Sequence, residues 1–279
     1  MKKYMTAGML GLLALAMVSC GMEEQRVSLT YVEWAGEIAA TNVAKVALEE
    51  MGYEVEIQPV SAAAMWQAVG SGASDGMVSA WLPATHAAYL EGVRDGVEEL
   101  SPLLNGAKIG LIVPQYVEID SVADIAANAD RFGNRIVGID PGSGLMQATE
   151  QALDIYAMED IELVEGTDAI MTAVLADEIR QNNWVVVTGW APHWKFASYE
   201  LKFLDDPEGV FGGAEYVSAI VRKGLREEHP DVVTFLDNFY WTPEQIGVVM
   251  GYIEEGMDPM DAARTWIADN RQVVNNWLP

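Results

Sequence analysis

Residues 189–194 read GWAPHW, and residues 80–86 read AWLPATH. Each stretch follows a short apolar run, has a Trp in second place, and carries a Pro and a His close behind it. The apolar runs, at 184–188 and 76–80, predict buried strands of an α/β layer. Each Trp is therefore expected at the carboxyl end of a strand, the edge at which open α/β sheets bind ligands.

A third Trp repeats this arrangement. Trp34 follows the apolar run 27–32 in the same way. Three aromatic rings at three strand ends indicate an aromatic box, and ring faces attract a cation that has no hydrogen bond to donate. We therefore expect Trp34, Trp81 and Trp190 to contact a cationic ligand. The other Trp residues are interpreted as structural, because they lie on helical or buried-strand patterns: Trp66, Trp184, Trp194, Trp241, Trp266 and Trp277.

The order of predicted elements indicates an α/β protein with two lobes. Strand and helix patterns alternate over 27–93 and again over 135–188, which favours a mainly parallel sheet covered by helices. From residue 225 onward the pattern is helical. Apolar strands at 108–113 and 216–222 bracket the second set. We therefore predict two chain crossings between lobe I, residues 27–112 plus 214–279, and lobe II, residues 113–213.

The N-terminus has the composition of an export signal. Lys2 and Lys3 precede an apolar run over 9–18, which is too short for a comfortable membrane span, and Cys20 is the single Cys. The segment resembles a bacterial lipoprotein signal, although Met17 stands where Leu is usual. We expect removal of residues 1–19, lipidation of Cys20, a tether over 20–26 and an extracytoplasmic location. An ordinary secretory signal with an incidental Cys is the alternative.

The charge and the motif content exclude several classes of protein. The chain has 279 residues and a net charge of −26, so binding to nucleic acid phosphates or to an anionic membrane surface is not expected. Any membrane contact must come from the lipid anchor. No nucleophile elbow, zinc-protease motif or P-loop is present, and the three His are far apart in sequence. We therefore expect a protein that is not an enzyme and has no metal and no cofactor.

Four motifs in this order resemble a known family. They are YVEW at 31–34, SAWLPATH at 79–86, GIDPGSGL at 138–145 and GWAPHW at 189–194. Together they resemble the glycine-betaine-binding proteins of bacterial ABC importers, over essentially the whole mature chain. The resemblance implies a two-lobe periplasmic-binding-protein fold of type II, with two crossing strands as hinge. It also implies a small quaternary ammonium ligand and an ABC permease as partners, and we expect a monomer.

The resemblance also implies which residues bind. In that family three Trp surround the trimethylammonium group, while a His and two backbone amides after a Gly-rich turn bind the carboxylate. The matching positions are Trp34, Trp81 and Trp190 for the box, and His86, Gly144 and Leu145 for the carboxylate. The chemistry agrees, because a helix that begins at the Gly-rich turn presents free N–H groups at its positive end, and a His ring can add a donor.

Several alternatives stay open from the sequence. The ligand could instead be choline, proline betaine, carnitine or a sulfonio analogue, and the lobe pair could serve a sensory receptor rather than an importer. His193 follows Pro192 at a helix start and is interpreted as structural. Asp140 is interpreted as a cap of its turn rather than as a ligand contact.

Overall fold

The structure is a computed structural model that describes residues 25–279, so the predicted leader and Cys20 lie outside the described residues. The strands are β1 (Arg26–Tyr31), β2 (Glu54–Pro59), β3 (Gly76–Leu82), β4 (Val97–Pro114), β5 (Arg135–Val137), β6 (Glu162–Val164), β7 (Val187–Ala191), β8 (Leu201–Phe203) and β9 (Glu215–Arg222). The helices are α1 (Ala35–Glu50), α2 (Ala62–Ser71), α3 (Ala87–Val93), α4 (Gly144–Ile155), α5 (Asp168–Arg180), α6 (Lys195–Ser198), α7 (Leu225–Glu228), α8 (Pro230–Asn238), α9 (Pro243–Glu254), α10 (Pro259–Asp269) and α11 (Arg271–Asn275). Short 3-10 helices span Arg94–Gly96, Val122–Asp124 and Ala126–Phe132.

The strands of the described chain form one mixed sheet in the order β2-β1-β3-β9-β4-β7-β5-β6, with β8 beside β4. The expectation of a mainly parallel sheet is wrong. The outer pairs, β1 with β2 and β3, and β5 with β6 and β7, are parallel, whereas every pair that includes β4 or β9 is antiparallel. The physical reason is that β9 returns after the inserted segment and enters between β3 and β4, against the direction of both.

β4 is shared by the two halves of the sheet. Its residues from Val97 to Ala107 pair with β9, and its residues from Lys108 onward pair with β7 and β8. The sequence predicted only the second part, because the acidic start and Pro102 hide the strand pattern, and the pairing has register shifts on both sides of Pro102. The change of partner lies before Lys108, whereas the predicted boundary of lobe I lies after residue 112. The lobe boundaries themselves stay a prediction.

The register along β4 places two of the predicted box residues. Trp81 on β3 lies opposite Val217 on β9, which in turn lies opposite Leu104 on β4. On the other side, Trp190 on β7 lies opposite Ile109 of the same strand. Both Trp are the last residue but one of their strands, so they lie at the carboxyl ends as predicted. Trp81 thus lies two strands away from β4 on one side, and Trp190 lies in the neighbouring strand on the other side.

Helices cover both faces of the sheet, and their buried faces carry small and branched residues at helical spacing. α1 buries Ala39, Val43, Val46 and Ala47, and α9 begins at a capping box formed by Thr242 and Gln245. In the C-terminal helical region, Trp266 of α10 stacks on Trp277 at a centroid distance of 5.8 Å, and both rings are almost fully buried. Within residues 25–279, no helix is long and apolar enough to span a membrane.

Candidate functional site

One cavity brings together all six residues that the sequence singled out. Its lining includes Trp34, Trp81, His86, Gly144, Leu145 and Trp190. Residues from both halves of the sheet complete the wall, with Val78, Leu104 and Val217 on one side and Ile109 and Ile139 on the other. Contact of these residues with a ligand stays a prediction, but their convergence on one cavity is a property of the fold.

Trp34 and Trp190 form the aromatic part of the wall. Their ring centroids are 6.4 Å apart with an interplanar angle of 52°, and both side chains are buried. Trp34 occupies the N-cap position of α1, and its Nε1 donates to Oδ2 of Asp140 at 2.8 Å. The interpretation of Asp140 as a turn cap alone is therefore incomplete, because its carboxylate holds a box residue from the other half of the sheet.

The Gly-rich turn supplies hydrogen-bond donors. Ser143 is the N-cap of α4, and its hydroxyl accepts from the backbone N–H of Met146 at 3.3 Å. The first N–H groups of a helix have no partner inside the helix. Those of Gly144 and Leu145 therefore remain to donate into the cavity, at the positive end of a 12-residue helix.

His86 adds a donor without a charge. Its Nδ1 accepts from the backbone N–H of Trp81 at 3.1 Å, so the neutral ring carries its proton on Nε2. The ring is buried, with its edge against Trp66 at a centroid distance of 5.8 Å. Burial lowers the pKa of His86 to about 3, because the charged ring would lose its water. The ring is thus a neutral Nε2–H donor at physiological pH.

Glu215 fixes the loop that carries His86. Its buried Oε1 accepts from the backbone N–H groups of Ala84 and Thr85, each at 2.8 Å, and its Oε2 accepts from the Thr85 hydroxyl. The loop is pressed against α4, since a Cβ on Gly144 would lie 2.2 Å from the carbonyl oxygen of Thr85. His86 therefore lies beside the N-terminus of α4, and the donors of the site are grouped together.

Three hydrogen bonds tie the two sides of the cavity together. Besides the bond from Trp34 to Asp140, the backbone N–H of Ala35 donates to Oδ2 of Asp168 at 3.0 Å. The hydroxyl of Tyr89 donates to the carbonyl of Gly142. All three donors follow β1 or β3, whereas all three acceptors lie in the segment between β4 and β9. The cavity is closed by this set of contacts.

A buried charged cluster lies behind Trp190. Nε2 of His193 is 3.1 Å from Oδ1 of Asp168, and its Nδ1 accepts from the backbone N–H of Lys195 at 3.1 Å. The ammonium Nζ of Lys195 is 4.0 Å from the centroid of the Trp190 ring and has no hydrogen-bond partner in the described chain. Burial lowers the pKa of Lys195 to about 7 and that of His193 to about 4. The His193 ring also contacts Trp190 in a T-shaped arrangement at a centroid distance of 4.8 Å, and its interpretation as structural stays a prediction.

Sequence reasoning missed the buried acids and the lysine of the site. Glu37, Asp168, Lys195 and Glu215 look like ordinary surface charges of helices and strand ends, yet each is buried. A usable signal was the position of Glu37, three residues after a box Trp. Among residues 25–279 no group of three His, Cys, Asp or Glu could hold a metal ion.

Comparison with known proteins shows similarity over almost the whole described chain. A family model described as the substrate binding domain of an ABC-type glycine betaine transport system matches residues 25–269. The glycine betaine/carnitine transport binding protein GbuC of Listeria monocytogenes serotype 1/2a is 44% identical over 150 residues, which are 53% of this chain and 50% of that protein. The match thus spans about half the length of this curated relative.

Solved structures extend the similarity to the fold. Lactococcal OpuAC, in a closed conformation complexed with glycine betaine, is 40% identical with a TM-score of 0.87, over 91% of this chain and 100% of that chain. ProX from Borrelia burgdorferi is 38% identical with a TM-score of 0.88, over 91% and 97%. A choline binding protein in complex with choline is 28% identical with a TM-score of 0.86, over 91% of each chain. The predicted α/β fold, a type II periplasmic-binding-protein fold, is confirmed.

The buried state of His86 gives a test by NMR. We expect the ring carbon and proton shifts of His86 to stay flat between pH 5 and 8, since its pKa is lowered to about 3. The stabilising contribution of the neutral ring is present above the unfolded pKa of about 6.5 and is lost as the pH falls toward the folded value. A titration of the His86 signals with a midpoint near 6.5 would contradict this assignment.

Proposed function

The chain belongs to the family of substrate-binding domains of ABC-type glycine betaine transport systems, and we propose that it captures glycine betaine and delivers it to an ABC permease. Substrate-binding proteins of ABC importers act outside the cytoplasm. The observation that carries the proposal for the ligand is the pairing of aromatic faces with grouped donors in one cavity. These two features match the two ends of a zwitterion.

The cationic end suits the Trp side of the cavity. A quaternary ammonium is bulky and positive and offers no N–H, so it cannot be bound by hydrogen-bond acceptors in the usual way. Ring faces supply negative potential, and each contact is worth about 0.5–2 kcal/mol, with the higher value for a desolvated cation. Trp34, Trp81 and Trp190 are the rings in the lining.

The anionic end suits the donor side. The N–H groups of Gly144 and Leu145 and the Nε2–H of His86 lie together, because Thr85 packs directly against Gly144. Hydrogen bonds to an ionised acceptor are worth roughly 1.5–3 kcal/mol each. A carboxylate is therefore the group that this side would bind most strongly, and a free hydroxyl would be a weaker substitute.

Closure of the cleft would accompany binding. A ligand held by Trp34, Trp81 and His86 on one side, and by Trp190 and the α4 amides on the other, must bridge the predicted lobes. The cross-cavity bonds to Asp140, Gly142 and Asp168 would then form together with the ligand contacts. Hinge rotation at the two chain crossings, after β8 and within β4, is the motion that we propose.

The cellular setting follows from the sequence. We propose that the protein is a monomer without catalytic activity that is held outside the cytoplasm by a lipid on Cys20. The signal-like leader and the acidic charge support this arrangement, since the anchor alone can bring so acidic a protein to a membrane. Radiolabelled fatty acid should be incorporated into the native chain and not into a Cys20→Ser variant.

Choline is the second candidate ligand. The similar fold of a choline binding protein at 28% identity favours it, as does a box that reads only the ammonium group. The name of the Listeria relative adds carnitine as a ligand of that protein. Choline and carnitine carry the same trimethylammonium group as glycine betaine. Discrimination among the three ligands therefore depends on the hydrogen-bond donors at the other end of the cavity.

The box is tested by removing one ring at a time. Each Trp→Ala change at Trp34, Trp81 and Trp190 should weaken glycine betaine binding by about 1–3 kcal/mol, through lost cation–π and apolar contact. Isothermal calorimetry measures the change. Trp184→Ala is the matched control, because that ring packs on Arg131 and outside the cavity lining. Trp266→Ala should instead lower the free energy of unfolding by about 3–5 kcal/mol. Unchanged affinity of Trp190→Ala would contradict the box.

The donor side is tested with choline. Choline lacks the carboxylate, so it should bind at least about tenfold more weakly than glycine betaine, which corresponds to about 1.4 kcal/mol. His86→Ala should narrow that gap by weakening glycine betaine more than choline. Calorimetry of the native protein measures both affinities. Equal affinities for the two ligands would contradict recognition of the carboxylate, would not affect the aromatic box, and would make choline an equally good candidate ligand.

Closure is tested at Gly144. Saturating glycine betaine should reduce the radius of gyration of the native protein, as measured by small-angle scattering. Gly144→Ala should not contract, because its Cβ would collide with the Thr85 carbonyl in the closed form. Gly251→Ala in α9 is the control, since a Cβ there meets nothing within 4 Å. A Gly144→Ala protein that contracts as the native one does would refute closure through this contact.

A further inference from the structure

Glu37 is an acid in the wall of the binding cavity. It lies in the first turn of α1, three residues after Trp34, and is only 4% exposed. Its Oε2 accepts from the backbone N–H of Val32 at 2.9 Å. Its Oε1 is buried and has no hydrogen-bond partner among the residues that the structure describes. One oxygen is therefore fixed by the backbone, and the other is unused.

The protonation of Glu37 depends on its surroundings. Its pKa is raised to about 8, chiefly by burial and to a smaller extent by the charge of Asp140, although the Val32 N–H and the nearby Ser79 hydroxyl lower it. The Ser79 hydroxyl donates to Sδ of Met65 at 3.4 Å, so the bond from Val32 is the fixed one. In the absence of a cation beside it, the Glu37 side chain is mainly a neutral acid at pH 7.

The other acids around the cavity are already engaged in hydrogen bonds, whereas the ammonium of Lys195 has no hydrogen-bond partner among the described residues and a pKa lowered by burial to about 7. Asp140, on the loop after β5, accepts from Trp34, and Asp168, at the start of α5, accepts from Ala35 and His193. Lys195, at the start of α6, lies over Trp190. Of the buried acids at the site, Glu37 is the one with a raised pKa and an unpartnered oxygen.

We propose that Glu37 is a cation-responsive acid of the site, which ionises when a quaternary ammonium enters the box and releases its proton to the solvent. The inference rests on the proposed function. A positive charge held near a buried carboxyl group stabilises the carboxylate, and the low dielectric of a closed cavity strengthens that effect. The new carboxylate then acts as a fourth element of cation recognition beside the three rings.

Ionisation of Glu37 on binding would affect the selectivity between choline and glycine betaine. A ligand that favours the ionised form binds more tightly as the pH rises toward the pKa of the free protein, and its affinity levels off above about pH 8. Choline has a net positive charge, whereas glycine betaine carries a carboxylate that offsets part of the attraction. Choline should therefore gain more affinity from a rise in pH, and the preference for glycine betaine should shrink.

Proton release is the direct readout. Calorimetry of the native protein with glycine betaine at pH 7, in phosphate and in Tris, should show a binding enthalpy that depends on the buffer, because part of one proton is released. Glu37→Gln keeps the size of the side chain and an oxygen that can accept from the Val32 N–H. We expect this variant to release fewer protons than the native protein when glycine betaine binds. Glu33→Gln is the matched control, since it removes an exposed acid four residues earlier in sequence and should release as much as the native protein.

Infrared spectroscopy and the pH dependence of choline affinity give a second test. Infrared difference spectra of the native protein should show loss of a protonated carboxyl band when glycine betaine binds. The affinity for choline should rise by about tenfold for each pKa unit by which the bound cation lowers the pKa of Glu37, and by less in Glu37→Gln.

The outcomes separate the two proposals. The role of Glu37 would be overturned if Glu37→Gln released as many protons as the native protein on binding glycine betaine. It would also be overturned if the native protein bound glycine betaine without loss of the carboxyl band. In both cases the proposed function would stand. Folded native protein that binds no quaternary ammonium would overturn both.

Discussion

The antiparallel pairing of β4 with β9 on one side and β7 on the other is the constraint on which the site depends. It fixes Trp81 opposite Val217 and Leu104, and Trp190 opposite Ile109, along one continuous strand. Two aromatic residues from segments far apart in the chain are thereby placed at fixed positions on either side of β4. The loops that carry Trp34, His86 and Gly144 then close around a frame whose dimensions the sheet has already determined.

Hydrogen bonds to buried or half-buried carboxylates complete that frame. Glu215 holds the loop before His86, Asp140 holds Trp34, and Asp168 holds the first N–H of α1. Buried carboxylates are costly unless they are hydrogen-bonded, so each one specifies a single arrangement of its donors. The aromatic and donor parts of the cavity are consequently positioned by acids that do not themselves need to touch a ligand.

The sequence predicted the local features well and the long-range ones poorly. Trp34, Trp81 and Trp190 could be located because the strand signals near them are local, whereas His86 and the turn at Gly144 were located through the resemblance to a known family. The first part of β4 was missed because Glu98, Glu99 and Pro102 interrupt the apolar pattern, and only pairing with β9 makes a strand of it. The mixed direction of the sheet depends on where β9 inserts, which no local signal records. Burial of Glu37, Asp168 and Lys195 likewise arises only when distant segments pack.

Lys195 gives Trp190 a second role with an evolutionary consequence. The buried ammonium rests on the indole face and has no hydrogen bond of its own within the described chain, so the ring is its main favourable contact beside the charge of Asp168. Replacement of Trp190 by an aliphatic residue would remove this contact from a buried amine whose pKa is already lowered to about 7. Positions 190 and 195 should therefore covary among homologues, with loss of the indole tolerated only in lineages that have already exchanged the lysine for an uncharged side chain.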